Sequence, residues 1–405
     1  MIDIDNIRSQ FPILNETVYG KPLVYLDNAA TTQKPQCVID AITDIYAHKN
    51  ANIHRGVHHL SNVCTDLFEQ ARHTLAKHIN AASDSELIFT RGTTEAINLL
   101  AFSFGETYCH AGDEIIISAM EHHANIVPWQ MLCQRKQMHL RVAPITDDGE
   151  LDVDALYALF SDKTKLLCIT HISNVMGTVN PVEQIVKQAH SAGIPVLIDA
   201  AQSMPHQPID VQTLGCDFMA FSGHKMYAPN GSGALYGKAK WLNEMVPYHG
   251  GGEMIEKVTF EKTTYNQLPF KFEAGTPDYI SAIGLKRAID FINEVGLSNI
   301  QQHEHELVSY AVDQLGSIPQ LRFIGNAKHR SGAVSFLLGN VHPYDTGMIL
   351  DKMGIAVRTG HHCAQPLMDR FGITGTVRAS FALYTTKHEI DLLVEGVDKV
   401  RMMMM

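Results

Sequence analysis

Between residues 86 and 221 short apolar runs alternate with longer segments whose apolar positions recur every three or four residues. The runs at 86–90, 113–119, 140–145, 165–172, 194–199 and 216–221 are rich in Ile, Leu, Val and Phe, as strands covered on both faces are. The segments between them, at about 94–104, 124–137, 152–161 and 181–192, read as helices with one apolar stripe each. Another helix is expected from Ser61, where Val63, Leu67, Ala71 and Leu75 recur every four residues. Strands separated by helices imply an α/β fold, a largely parallel sheet covered on both faces.

Ahead of this region, Pro22-Leu23-Val24-Tyr25-Leu26-Asp27 reads as a short extended run and Asn28-Ala29-Ala30-Thr31-Thr32 as a stretch too small and polar for core. After it the alternation fails. Tyr248-His249-Gly250-Gly251-Gly252 and Phe272-Glu273-Ala274-Gly275-Thr276-Pro277 read as loops within an irregular stretch over 240–280, and so long a stretch is more often functional than accidental. Helices follow near 281–295 and 298–316. Shorter strands at 321–325, 331–338, 355–358 and 376–383 then alternate with helices, the last opening with the capping box Thr386-Lys387-His388-Glu389. A large domain over 20–290 and a smaller α+β domain from 1–19 and 291–405 are expected. Met402 to Met405 reads as a frayed end.

Composition narrows the function. A chain of 405 residues, 45% hydrophobic, has ample material for two packed domains, and no apolar run approaches the ~18–20 residues that span a bilayer. Met1-Ile2-Asp3-Ile4-Asp5 lacks a basic n-region, so cytoplasmic residence is expected. The formal charge of -11, with scattered basic residues, argues against a nucleic-acid partner. The seven cysteines (Cys37, Cys64, Cys109, Cys133, Cys168, Cys216 and Cys363) include no CxxC pair, and the 22 histidines lack HExxH spacing; neither a disulfide framework nor a metal site is expected.

Two stretches carry the candidate chemistry. The first is Ser222-Gly223-His224-Lys225-Met226-Tyr227, just past the run 216–221 and ahead of a loop loosened by Gly231 and Gly233. Alone, Lys225 reads more readily as a solvated charge than as a reagent. Upstream, however, Asp199 ends the buried-looking strand Pro195-Val196-Leu197-Ile198, and a Schiff-base lysine with an acid to pair a pyridinium nitrogen is what pyridoxal phosphate requires. Thr90-Arg91-Gly92-Thr93-Thr94-Glu95 turns from a strand into a helix, which makes either an ordinary N-cap or an anion site. Beside the lysine and the acid a phosphate cradle is the stronger reading, with Ser222 and His224 as further contacts. Glu121-His122-His123-Ala124-Asn125 lies past the run 113–119, at the carboxyl end where ligands collect in parallel sheets, and there an imidazole either stacks on a cofactor or starts a helix.

The second stretch is Arg358-Thr359-Gly360-His361-His362-Cys363-Ala364-Gln365-Pro366, with the preceding strand expected to end at Arg358. Cys168 and Cys216 read as small buried hydrophobes. Cys363, on a short polar loop beside two histidines, reads as a nucleophilic thiol, with zinc ligation the lesser alternative. Arg378, a lone charge in the apolar run Thr376-Val377-Arg378-Ala379-Ser380, needs either a bound carboxylate or an internal ion pair. His54-Arg55-Gly56 either lines a pocket or faces water.

With these residues assembled, the chain resembles cysteine desulfurases of the SufS type (group II), within the class V aminotransferases, nearly end to end. The Ser-Gly-His-Lys segment and Arg-Thr-Gly-His-His-Cys-Ala carry the likeness. The resemblance implies the pyridoxal phosphate transferase fold type I, a mainly parallel seven-stranded-type sheet sandwiched by helices, with Cys363 on the smaller α+β domain. It makes Lys225 the Schiff-base lysine, Asp199 the pyridinium partner, Gln202 a contact to the ring hydroxyl and His122 the stacking imidazole. Thr93, Thr94, Ser222 and His224 would hold the phosphate, and Thr276 would reach the phosphate of a partner subunit in a homodimer. Asn174, Arg358 and Arg378 would hold the substrate. The implied reaction takes L-cysteine to L-alanine and leaves sulfur on Cys363 as a persulfide, for a SufE-like or SufU-like acceptor serving iron–sulfur cluster assembly. A selenocysteine lyase acting on L-selenocysteine, a pyridoxal phosphate aminotransferase and a non-catalytic sulfur-relay or scaffold protein are the alternatives.

Overall fold

The apolar runs pair into one large sheet. The computed structural model describes residues 2–405; Met1, which the expected smaller domain includes, lies outside the described residues. The strands are β1 (Leu87–Thr90), β2 (Glu114–Ser118), β3 (His139–Ala143), β4 (Thr164–Thr170), β5 (Val196–Asp199), β6 (Phe218–Ser222) and β7 (Gly233–Gly237). Their spatial order is β1-β7-β6-β5-β4-β2-β3, in which β2 to β6 pair in parallel and β7 runs antiparallel to both its neighbours. Residues of the strands alternate between two apolar layers. Ile116, Leu167, Ile198 and Phe221 pack on one face, and Ile117, Cys168, Leu197 and Phe218 on the other, which is the period of two that a pleated strand imposes. At roughly 1.5–3 kcal/mol for each large apolar side chain buried, these layers are the main source of stability.

The sequence pattern missed β7, because Gly-Ala-Leu-Tyr-Gly is short and bounded by glycines. Gly233 is there for close approach: a Cβ on it would lie 2.5 Å from Phe221 O and 2.6 Å from Gly92 Cα. The stretch 240–280 is also more regular than expected, with a helix at Ala239–Glu244 and a hairpin pairing Ile255–Val258 with Thr263–Tyr265. The hairpin is mostly exposed, so it carries no apolar signature.

A second sheet, antiparallel and four-stranded, is ordered β8-β9-β11-β10 from β8 (Leu321–Phe323), β9 (Ala333–Leu338), β10 (Arg358–Gly360) and β11 (Thr376–Ser380). The strand expected to end at Arg358 is therefore two pieces. Ile355–Ala356 pairs in parallel with Val24–Tyr25, and Arg358 opens β10. Helix α1 (Thr93–Tyr108) covers the large sheet, α2 (Tyr279–Val295) runs unbroken across the 290/291 boundary, and α3 (Leu297–Gly316) and α4 (Lys387–Met404) cover the small sheet. Leu307, Ala311 and Leu315 from α3 meet Ile390, Leu393 and Val397 from α4 in its core. The methionine tail is not frayed: α4 continues to Met404 behind its Thr386–Glu389 capping box, methionine being a good helix former.

One segment stitches the sheets together. Asp27 bridges Ser380 at the end of β11, and Thr32 N donates to His224 O beyond the end of β6. Asn28, Ala29 and Thr32 are buried here, against the expectation for so polar a run. Their polar atoms are paired, Asn28 Nδ2 with Ser380 O at 2.7 Å and Thr32 Oγ1 with His224 O at 3.2 Å, so burial leaves no donor stranded.

Candidate active site

Parallel strands open their carboxyl ends on one edge, and that edge is the wall of a cavity of about 250 Å³. Ser222 ends β6, and the chain turns at once through Gly223–Lys225. The carbonyl of His224, one residue before the lysine, accepts four hydrogen bonds. They come from Thr31 Oγ1 (3.0 Å), Thr32 Oγ1 (3.2 Å), Thr32 N (3.0 Å) and Lys34 Nζ (3.0 Å). Tyr227 backs the turn with a left-handed φ of 61° and packs edge-on to Phe11 at 6.0 Å. Lys225 is thus presented in one place. Burial holds its amine down to about 8, against the opposing pull of Asp199.

Asp199 ends β5, is only 4% exposed, and accepts one hydrogen bond at Oδ1, from Ala201 N at 2.9 Å. Burial raises its pKa. Gln202 is fixed by donating to Ala29 O at 2.8 Å. His122 accepts from Ala124 N at 3.0 Å through Nδ1, and burial, with Lys225 nearby, pushes its pKa down to about 3. It is therefore a neutral ring at neutral pH. Below it the buried carboxyl of Glu121 takes hydrogen bonds from Ser118 Oγ, Asn125 Nδ2 (2.7 Å) and Thr170 N (2.9 Å), and burial raises it to about 7.

At the other end, α1 begins without a side-chain cap behind Gly92, whose φ of 140° and ψ of -177° suit glycine alone. Thr93 N and Thr93 Oγ1 each lie 2.8 Å from Ser222 Oγ. A helix start with no cap of its own and hydroxyls beside it is suited to hold an anion.

Facing this wall is the Cys363 loop. Cys363 is exposed, and both His362 and Cys363 are left-handed, with φ of 51° and 55°, a strained arrangement for residues carrying a Cβ. Histidines hold it: Cys363 N donates to His361 Nδ1 at 3.1 Å, Gln365 N to His123 Nε2 at 3.0 Å, and His123 N to Cys363 O at 2.7 Å. His362 turns inward against Thr376 Oγ1 at 2.8 Å, and burial brings its pKa down to about 3. Asn174 joins the parts. Its Nδ2 donates to His362 O at 2.8 Å, while its own carbonyl accepts from Arg378 Nη1 at 2.9 Å. Arg378 is 2% exposed and also pairs with Asp27 Oδ1 at 3.1 Å. Burial lowers it to about 10, so it stays charged at neutral pH. Of the readings offered for Arg378, the internal ion pair is present, while its Nε is buried without a partner.

Thr93, Thr94, His122, Asn174, Asp199, Gln202, Ser222, His224, Lys225, Arg358, Cys363 and Arg378 all line the cavity. Thr276 does not. It is exposed and lines a separate cavity of about 290 Å³ with Thr90 and Arg91. Among the described residues no group of three or more His, Cys, Asp or Glu is placed to hold a metal ion, and no helix is long and apolar enough to cross a membrane. Sequence reasoning missed Asp27, Glu121 and His362 as structural partners of the site. A signal existed for the first two: each is an acid just beyond an apolar run, the position that singled out Asp199.

The Aminotransferase class-V family profile matches residues 24–393. A protein described as a cysteine desulfurase from Dickeya dadantii (strain 3937) is 52% identical over 398 residues, 98% of this chain and 96% of the relative. A probable cysteine desulfurase of Halalkalibacterium halodurans is 50% identical over 395 residues, 98% and 97% of the two chains. Among solved structures, the cysteine desulfurase CsdA (S-sulfonic acid) from Escherichia coli superposes with a TM-score of 0.93 at 38% identity, covering all of both chains. The apo cysteine desulfurase from Thermococcus onnurineus NA1 gives 0.95 at 36%, covering 100% of this chain and 99% of the other.

Proposed function

The chain belongs to the class-V aminotransferase family, and from that premise we propose that its cavity binds L-cysteine on pyridoxal phosphate and passes the sulfur to Cys363. The activity is that of a cysteine desulfurase. The residues present fit the cofactor: an amine held near half-ionisation at mildly alkaline pH, a buried carboxylate with an oxygen to spare, a neutral imidazole, and an uncapped helix start for a phosphate. When bound, pyridoxal phosphate supplies an aldehyde for an amine and a ring that takes up the electron pair released at Cα.

Lys225 would hold the cofactor through its aldehyde and, once released, would carry the substrate's Cα proton. Asp199 would pair with the ring nitrogen, Gln202 with the ring hydroxyl, and His122 would pack against the ring. Thr93, Thr94, Ser222 and His224 would hold the phosphate. Arg378 and Asn174 would hold the substrate, the charged guanidinium taking the carboxylate, with Arg358 alongside. The Cys363 thiolate would attack the substrate sulfur; an S–S bond forms, the Cβ–S bond breaks with its electron pair on carbon, and alanine leaves once Cβ takes up a proton and Lys225 returns the one it carried to Cα. Cys363 keeps the persulfide. The exposed, strained Cys363 loop at the mouth of the lysine's own cavity carries this reading.

The short loop from Gly360 to Pro366 favours the SufS-type subgroup and handover to a SufE-like or SufU-like acceptor. The position of Thr276, exposed and outside its own chain's cavity, favours a homodimer in which it serves the neighbouring phosphate. Incubation with L-cysteine, followed by mass spectrometry, is expected to show added sulfur on the Cys363 peptide and free alanine. Alanine formation that survives Cys363→Ala rejects the mechanism.

A further inference from the structure

We propose that Asp27 positions the two arginines of the substrate clamp and limits the clamp to a single carboxylate, an inference that rests on the desulfurase reading of this cavity. Arg358 on β10 and Arg378 on β11 are direct cross-strand partners, and like charges so placed repel. The Asp27 carboxylate sits between them. Arg358 gives it the whole of one edge, Nε at 3.0 Å from each oxygen and Nη2 at 2.8 Å from Oδ2. Arg378 gives it one hydrogen bond, from Nη2 at 3.1 Å. The Nη1 of Arg378 is used by Asn174 O at 2.9 Å, and its Nε is the buried donor left without a partner.

The donors are therefore unequal. Arg358 commits both Nε and Nη2 to Asp27, whereas Arg378 commits only Nη2 to it and keeps Nε buried without a partner. Two positive charges against one negative leave one charge uncompensated, which matches one carboxylate. Asp27 cannot swing away cheaply: its backbone bridges Ser380, and the next residue, Asn28, donates to Ser380 O at 2.7 Å. An α-carboxylate is drawn to Arg378, the guanidinium that Asp27 compensates least. A second carboxylate, on a side chain directed toward Cys363 and Arg358, finds Arg358 already neutralised and meets the negative charge of Asp27. Exclusion of the wrong ligand by a placed like charge is a specificity device in its own right.

L-Alanine and L-aspartate differ by that one group. The test titrates cofactor-loaded wild-type protein and the Asp27→Asn and Asp27→Glu variants with each amino acid, following the cofactor absorption. Asp27→Asn is expected to improve L-aspartate relative to L-alanine by about tenfold, since a guanidinium freed in a partly buried site attracts a carboxylate strongly, and Asp27→Glu is expected to return the ratio toward wild type. An unchanged ratio in Asp27→Asn overturns the proposal, as does an equal loss of both ligands. Should Asp27→Asn not fold, Arg358→Gln serves. Asp27 then neutralises Arg378 alone, and L-alanine affinity is expected to fall about tenfold by the same charge count; unchanged affinity overturns the proposal. Sulfur on Cys363 is scored separately in wild-type protein. Its absence rejects the desulfurase reading even where the ratio shifts, and its presence beside an unchanged ratio rejects only the role of Asp27.

Discussion

The two walls of the cavity are built in opposite ways. Lys225 follows a fully buried strand, the carbonyl before it takes four hydrogen bonds, and an aromatic cluster lies behind it. Cys363 is exposed on a short loop with two successive left-handed residues, held by the side chains and backbone of neighbouring histidines. A lysine that anchors a cofactor needs one geometry, and rigid packing supplies it. A thiol that collects sulfur inside and surrenders it outside needs two. Strain that only local hydrogen bonds restrain suits such a residue, as it suits functional loops generally.

The largest test of this contrast compares two alanine variants. Lys225→Ala is expected to lower alanine production from L-cysteine by at least about a thousandfold and to abolish the absorption of lysine-linked cofactor. Cys363→Ala is expected to stop sulfur transfer as completely, yet to keep the absorption change when an amino acid binds. Loss of that response in Cys363→Ala means the walls are not independent, and the contrast between them fails. A smaller effect separates the cysteines. Burial pushes the Cys109 and Cys216 thiols up to about 12 and raises that of Cys168 as well, while Cys363 is exposed. In native protein a brief pulse of iodoacetamide, read by peptide mass spectrometry, is expected to label Cys363 at least about a hundredfold faster than those three.

How legible each wall is in the sequence follows from the same contrast. The lysine wall is written in apolar periodicity: runs ending at Phe221 and Ile198 put Lys225 and Asp199 at strand ends on the pattern of apolar positions alone, and β5 and β6 are indeed neighbours. The cysteine loop is legible in composition, because Cys363 has polar neighbours where Cys168 has Leu and Ile. What joins the walls is not legible. Asp27, Asn28 and Thr32 are polar residues held by partners hundreds of positions away, Ser380 and His224 among them, and no local pattern announces a long-range hydrogen bond. β7 escapes for a related reason, since its first glycine serves a close approach to Gly92 and Phe221. Thr276 marks a further limit: its expected ligand belongs to another subunit.

The rigid wall also predicts a titration. Burial lowers the Lys225 amine from 10.5 to about 8, so between those values the unfolded chain binds a proton that the folded chain does not. Stability of the cofactor-free protein contributed by this group therefore rises with pH across that window, and below about 8 the full penalty of a buried charge remains. The fraction of Lys225 acylated by a brief pulse of an amine reagent is expected to be half-maximal near pH 8, against about 10.4 for an exposed lysine. A midpoint above about 9.5 would mean that the wall is wetter than its packing implies.

The smallest effect comes from two glycines, one on each wall. Gly92 has φ 140°, and a Cβ there would stand 2.9 Å from Ser222 Oγ, the atom that holds Thr93. Gly360 has φ 107°, but a Cβ there meets nothing within 4 Å. Gly360→Ala therefore bears backbone strain alone, about 1–2 kcal/mol, a fall in apparent melting temperature of a few degrees at most. Gly92→Ala bears comparable strain and also drives Ser222 off the helix start, so it is expected to melt lower and to release cofactor on dialysis. Gly360→Ala is expected to keep its cofactor and lose sulfur transfer instead, because the loop it reshapes carries Cys363 and none of the residues expected to hold the cofactor. Equal cofactor loss in the two variants would mean that strain at the cysteine wall reaches the lysine wall. Asn174, bonded at once to His362 O and Arg378, is the contact through which it would travel.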